Sequence, residues 1–189
     1  MVAPEQQTTP GMEDDHGGWK APGYLLDVQE SGAGMTRRPV VFLDIDGVLN
    51  ARGAGDNDMP LPGEHPWMRM SARRVCLLNQ IPAIFVISSS WRHALGEFEI
   101  YGMLRVRGFA QLLGGMTPRR LPRSCGSETA LRGAEISWWL EMHGAGCHYA
   151  VLDDDAVTGH GGHFVWIDGG IGLQQSDIPR VLAALDVLP

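Results

Sequence analysis

Two aspartates separated by one residue, Asp44 and Asp46, follow an apolar run and lead into Gly47. The run, Val40 to Leu43 with Ile45, has the length and composition of a buried parallel strand. In an extended strand, positions 44 and 46 point to one face. Two carboxylates would then stand side by side at the strand's carboxyl end, where like charges need a shared proton or a bound cation. The plain alternative is a strand that ends in an Asp-Gly turn.

Other strand ends argue for chemistry. A second apolar stretch, residues 83–87, runs into Ser88, Ser89 and Ser90, and a third, 149–152, runs into Asp153, Asp154 and Asp155. Asp44, Asp46, Asp153 and Asp154 together make a hard-oxygen set suited to Mg2+, which favours carboxylates, water and substrate phosphate. A hydroxyl at Ser88, with Ser89 as the rival register, can donate to a phosphoryl oxygen. Arg132, near the start of the helix that precedes the acidic strand, offers a fork-shaped cation to the same group.

These residues need a scaffold that brings strand ends together. The pattern predicts strands at 40–45, 83–87, 149–152 and 164–167, with a short strand or turn at 110–113. It predicts helices at 71–80 with Ser71 as N-cap, 94–105, 127–143, and 177–185 with Ser176 as cap. Strands alternating with helices imply an α/β domain with a parallel sheet and helices on both faces. In such sheets the ligand site lies beyond the carboxyl ends of the strands. Residues 51–67 and 114–126, rich in Gly and Pro, are expected as loops.

The chain has 189 residues, enough for one domain with a tail. Residues 1–36 carry six acids and one base and few branched apolar residues, so they are expected as a disordered or loosely attached segment, with the domain at 37–189. The remainder holds 16 acids and 14 arginines. That balance excludes the strongly basic footprint of a general nucleic-acid binder. Lys20 is the sole lysine, so a phosphate-holding cation in the domain must be an arginine. Three dispersed cysteines indicate neither a disulfide framework nor a cysteine zinc site. No signal peptide or membrane-length apolar run is visible, which makes a cytoplasmic setting the expectation.

Asp-x-Asp-Gly-Val-Leu at 44–49, Ser88, Arg132 and Asp153-Asp154, in that order, resemble the four motifs of haloacid dehalogenase (HAD) superfamily phosphatases. Ser-Ser-Trp-Arg at 89–92, Arg-Gly-Ala-Glu-Ile at 132–136, and Gly172-Leu173 are similar to the HAD domains associated with RNA-repair proteins and related phage and bacterial proteins. The resemblance implies a Rossmann-like three-layer sandwich. It implies that Asp44 attacks phosphorus to form an aspartyl-phosphate, and that Asp46 protonates the leaving oxygen and then activates water. Mg2+ would be held by Asp44, the Asp46 backbone carbonyl, and Asp153 or Asp154. Ser88 or Ser89 and Arg132 would hold phosphate oxygens, with backbone N–H groups near Ile45 and Gly47 as further donors. The gaps between motifs, about 38 and 43 residues, must also contain core elements, so a large cap domain does not fit. An open site suits a phosphorylated nucleic-acid terminus or a nucleotide. A small-metabolite phosphatase and a catalytically silent phosphate-binding or scaffold module are the alternatives.

Lesser features have bland readings as well. Arg92 either reaches the site or forms a surface ion pair. The Arg119, Arg120 and Arg123 loop either grips phosphate or is solvated. Asp155 is expected in solvent or at a helix start. His160 and His163, two histidines in a Gly-rich stretch, are expected in a flexible linker rather than on a metal. The six tryptophans are expected mostly in the core or at its rim; for Trp67 and Trp91, near the expected mouth, the alternative is an indole that stacks on a base.

Overall fold

The computed structural model describes residues 38–53, 60, 62–63, 65, 68–119, 127–144 and 146–186. The N-terminal segment through residue 37, Trp67, and Arg120 with Arg123 lie outside the described residues. Among the described residues, five strands form one parallel sheet: β1 (Val40–Leu43), β2 (Ile84–Ile87), β3 (Leu112–Met116), β4 (Tyr149–Asp153) and β5 (Phe164–Trp166), in the order β3-β2-β1-β4-β5. The order reverses beside β1, so β1 and β4 are neighbours although distant in sequence. The helices are α1 (Ala72–Leu78), α2 (Glu97–Val106), α3 (Glu128–His143) and α4 (Ile178–Leu185).

Alternation along β1 divides the core. Val41 and Leu43 pack with Val75 and Leu78 of α1, Ile100 of α2, and Val181 of α4. Val40 and Phe42 face the other way, onto Ile136 and Trp139 of α3. The result is the expected three-layer α/β sandwich. Among the described residues, the two gaps between motifs are taken up by α1 and β2, and then by α2 and β3. No helix of the described residues is long and apolar enough to cross a membrane.

Several boundaries differ from the sequence pattern, each for a local reason. The third strand extends into the region expected as a loop, through Gly114 and Gly115. Gly115 has φ +99°, and the pairing with β2 shifts register between Phe85 and Ile87. Ser90–His93 forms a separate 3-10 turn, and α2 starts later, where the Glu99 carboxylate accepts the Gly96 N–H at 2.6 Å. Ser71 does stand at the N-cap of α1, though its side chain makes no cap bond. Ser176 is not a cap but lies within a 3-10 turn, Gln175–Asp177, and Asp177 takes the N-cap position of α4.

His160 and His163 depart furthest from expectation. Both are buried. The His163 ring stacks on Tyr149 at 4.0 Å, and its Nδ1 lies 3.0 Å from the Tyr149 carbonyl. His160 bridges the Tyr149 hydroxyl and the Gly133 carbonyl, each at 3.0 Å. A buried imidazole with a partner on each nitrogen is a structural tie. It fastens the stretch after β4 to the first turns of α3, where a free linker was expected.

Candidate active site

The site begins where β1 and β4 stop. Leu43 pairs with Leu152, and the Asp44 N–H donates to the Leu152 carbonyl at 3.0 Å. One residue further along, Asp44 and Asp153 both turn to the α3 side, following the alternation set by Phe42 and Val151. Oxygens of Asp44, Asp153 and Asp154 all lie within 4.8 Å of one another. Asp44 and Asp153 are buried.

Arg132, on the second turn of α3, enters between them. Its Nη1 stands 2.8 Å from Asp44 Oδ2 and also hydrogen-bonds Asp153 Oδ2. Both contacts use one nitrogen, leaving the rest of the fork for another anion. Burial opposes the charge on Arg132, but Asp44 and Asp153 outweigh it and hold its pKa above the ordinary value. Ser127 starts this helix with its Oγ accepting the Ala130 N–H at 3.2 Å, which fixes the turn that aims Arg132.

Asp154 has a different setting. Gly47, at φ +71°, lies against its carboxyl group, and a Cβ there would fall 2.2 Å from the carboxyl carbon. Gly169 closes the other side, where a Cβ would fall 2.2 Å from Oδ2. Arg52 Nη2 reaches Asp154 Oδ2 at 2.6 Å from an otherwise exposed side chain. Burial pushes the Asp154 carboxyl above its usual range, against the pull of Arg52. Asp153 is pushed up to about 7, by burial first and then by Asp44, although Arg132 works in the opposite direction. Three carboxylates thus share two guanidiniums, Arg132 and Arg52, in a largely buried setting.

Asp46 does not stand beside Asp44 on a strand, as the spacing suggested. β1 ends at Leu43, and the Ile45 carbonyl accepts the N–H groups of Val48, Leu49 and Asn50 in a tight turn. The turn carries the Asp46 side chain to Asn50 Nδ2 at 2.7 Å and Trp91 Nε1 at 3.0 Å. Its carboxylate is not a member of the three-aspartate group. The like-charged neighbour of Asp44 is Asp153, delivered by sheet register.

The two serines separate. Ser88 is buried, and its Oγ has no partner among the described residues. Ser89 Oγ accepts the Trp91 N–H at 3.4 Å and caps the 3-10 turn. Ser88 is thus the hydroxyl with spare capacity. The N–H of Ile45 donates to Asp44 Oδ1 at 2.7 Å, and that of Gly47 to Asn50 Oδ1 at 3.0 Å. Both expected backbone donors have partners within the chain.

Three residues acquire roles that spacing did not reveal: Asn50 and Trp91 on Asp46, and Arg52 on Asp154. Trp91 is buried, in line with the core reading of the tryptophans rather than with base stacking. Arg92 is also buried. It donates to the Ser89 carbonyl at 2.6 Å and ion-pairs with Glu135, three residues past Arg132 on α3. The available signal was the Arg-Gly-Ala-Glu spacing, which puts 132 and 135 on one helix face. Arg119 donates to the Leu95 carbonyl at 2.9 Å. Asp155 is exposed, as expected. A cleft of about 150 Å3 opens beside Arg132, bounded by Ser90, Arg92, His93, Leu131 and Glu135.

A parallel sheet in this strand order, with an Asp-x-Asp turn after β1 and an acidic pair ending β4, defines a HAD-type α/β domain. More specifically, residues 40–178 match the family described as the HAD domain in Swiss Army Knife RNA repair proteins, and the chain belongs to that family. No match was found among curated proteins or among solved structures. Membership places the chain in a class of phosphatase-type hydrolases that typically depend on a metal. The donor set fits such an ion: three hard carboxylate oxygens lie within reach of one another and outnumber the two guanidiniums, Arg132 and Arg52, that contact them.

Proposed function

We propose that the chain is a Mg2+-dependent phosphomonoester hydrolase that works through an aspartyl-phosphate, with a phosphorylated nucleic-acid end or a nucleotide as substrate in a cytoplasmic setting. The observation that carries this reading is the meeting of Asp44, Asp153 and Asp154 with Arg132 at adjacent strand ends. A scaffold module that only binds phosphate has no use for a further carboxylate at Asp46 held by its own set of donors.

Asp44 Oδ1 is turned by the Ile45 N–H, and its Oδ2 faces Arg132. A carboxylate held in this way attacks phosphorus as the ester bond to the leaving oxygen breaks. Asp46 gives that oxygen its proton and later takes one from the water that releases phosphate from Asp44. Arg132 and Ser88 hold the peripheral oxygens, over which charge is spread during transfer. Mg2+ on Asp44, Asp153 and Asp154, when bound, neutralises the repulsion between an anionic nucleophile and an anionic substrate. The short gaps between motifs, about 38 and 43 residues that also hold α1, β2, α2 and β3, support a bulky or polymeric substrate.

The test is hydrolysis of 4-nitrophenyl phosphate with and without Mg2+, by the wild-type chain and by Asp44→Asn. Metal-dependent turnover, abolished in the folded variant, is expected. Activity retained by Asp44→Asn sinks the reading. Nucleoside monophosphates compared with 3′- and 5′-phosphorylated oligonucleotides then separate the substrate classes.

A further inference from the structure

We propose that Trp91 is a positioning residue for proton transfer: its indole N–H, with Asn50, aims the Asp46 carboxylate at the leaving oxygen. The inference rests on the phosphatase reading above and extends it to a residue outside the four motifs.

Each oxygen of Asp46 has its own donor. Oδ1 accepts from Asn50 Nδ2 at 2.7 Å, and Oδ2 accepts from Trp91 Nε1 at 3.0 Å. Ser90 Oγ, at 3.5 Å from Oδ2, stands at the outer limit of a hydrogen bond. Two donors on two oxygens fix both the rotamer and the plane of a carboxylate.

Neither donor is free to drift. Asn50 Oδ1 accepts the Gly47 N–H at 3.0 Å, so the amide is pinned to the same turn that carries Asp46. Trp91 is only 3% exposed and belongs to the main core cluster. Its turn is capped by Ser89 Oγ and braced by Arg92 on the Ser89 carbonyl. The end of β2 therefore reaches across the sheet and sets the side chain that follows β1.

Chemistry fits this arrangement. An indole N–H and an amide NH2 can donate but not accept. Neither therefore competes for a proton in transit between Asp46 and the leaving oxygen. In the first half-reaction Asp44 Oδ bonds to phosphorus, the bond from phosphorus to the leaving oxygen breaks, and the Asp46 proton moves to that oxygen. In the second, water adds to phosphorus, its proton goes to the Asp46 carboxylate, and Asp44 departs as a carboxylate. Asp46 and Asp44 both end as they began.

Leaving-group dependence tests the inference. A nitrophenolate departs with little help, whereas a phenolate needs protonation. Trp91→Phe keeps the ring and deletes the donor. Its kcat/KM for phenyl phosphate should fall about 10-fold or more, within the range general-acid catalysis supplies, and for 4-nitrophenyl phosphate less than about 3-fold. In an Asp46→Asn background, Trp91→Phe should cost less than about 2-fold on either ester, because its effect passes through Asp46. If Trp91→Phe does not fold, Asn50→Ala, which removes the donor on the other oxygen, takes its place with the same expected selectivity. Equal losses on both esters, or a full further loss in the Asp46→Asn background, overturn the positioning role while the phosphatase reading stands. No turnover of either ester by the wild-type chain overturns both.

Discussion

Arg132 Nη1 lies 2.8 Å from Asp44 Oδ2, and the same nitrogen is hydrogen-bonded to Asp153. A single guanidinium thus spans the proposed nucleophile and a proposed metal ligand that arrives from another strand. The bridge relieves repulsion between two buried carboxylates, and it leaves the outer part of the fork facing the cleft.

Arg132→Ala should separate these duties. Turnover is expected to fall about 100-fold or more, as for loss of one donor aimed at developing charge. Mg2+ should bind no more weakly, because a competing cation has left the aspartate cluster. Steady-state kinetics and calorimetric titration of Mg2+ check the two halves, and weaker Mg2+ binding contradicts the bridging account.

The raised Asp153 pKa has a sign that can be tested. In the unfolded chain this carboxyl ionises near about 3.9, whereas in the folded chain it ionises near about 7. Between those values the folded chain keeps a proton that the unfolded chain has released, so this group's contribution to stability is present at low pH and lost as pH rises. In EDTA, Asp153→Asn should raise Tm relative to wild type at about pH 8 and much less at about pH 5. Mg2+ should stabilise the wild type more at the higher pH.

Ser88 and Ser89 should give opposite phenotypes. Ser88 Oγ is buried without a partner among the described residues, so Ser88→Ala should keep or raise Tm while KM for phosphate esters rises. Ser89→Ala removes the cap of the 3-10 turn and should cost stability, by about 1 kcal/mol. Thermal melts paired with kinetics distinguish them.

Gly47→Ala should damage both stability and metal binding. The left-handed backbone at φ +71° costs an alanine roughly 1–2 kcal/mol. The added Cβ also collides with the Asp154 carboxyl group. A lower Tm together with weaker Mg2+ affinity is expected, and unchanged Mg2+ affinity would show that Asp154 is not a ligand.

Much of the site was legible because its residues sit at the ends of short apolar runs, and such runs announce buried parallel strands. Asp44, Ser88, Asp153 and Asp154 could all be marked in this way, and Arg132 by its place near the start of the helix before the acidic strand. Arg92 with Glu135, and His160 with Tyr149, could not. Their burial depends on which helix packs over which strand, and a lone Arg or His in sequence has the same appearance in solvent as in a core. Trp91 reads as one more core or rim tryptophan until its N–H is seen on Asp46.

The sequence alone determined the α/β layering, the strand ends that carry chemistry, and the residue types available there. Apolar periodicity and residue chemistry are local properties that need no knowledge of neighbours. Only the tertiary structure decided which carboxylates meet. Register between β1 and β4 set Asp153 beside Asp44, while a turn stabilised by the Ile45 carbonyl sent Asp46 to Asn50 and Trp91. Pairing across a sheet joins residues roughly a hundred positions apart, and no spacing within the chain encodes that distance.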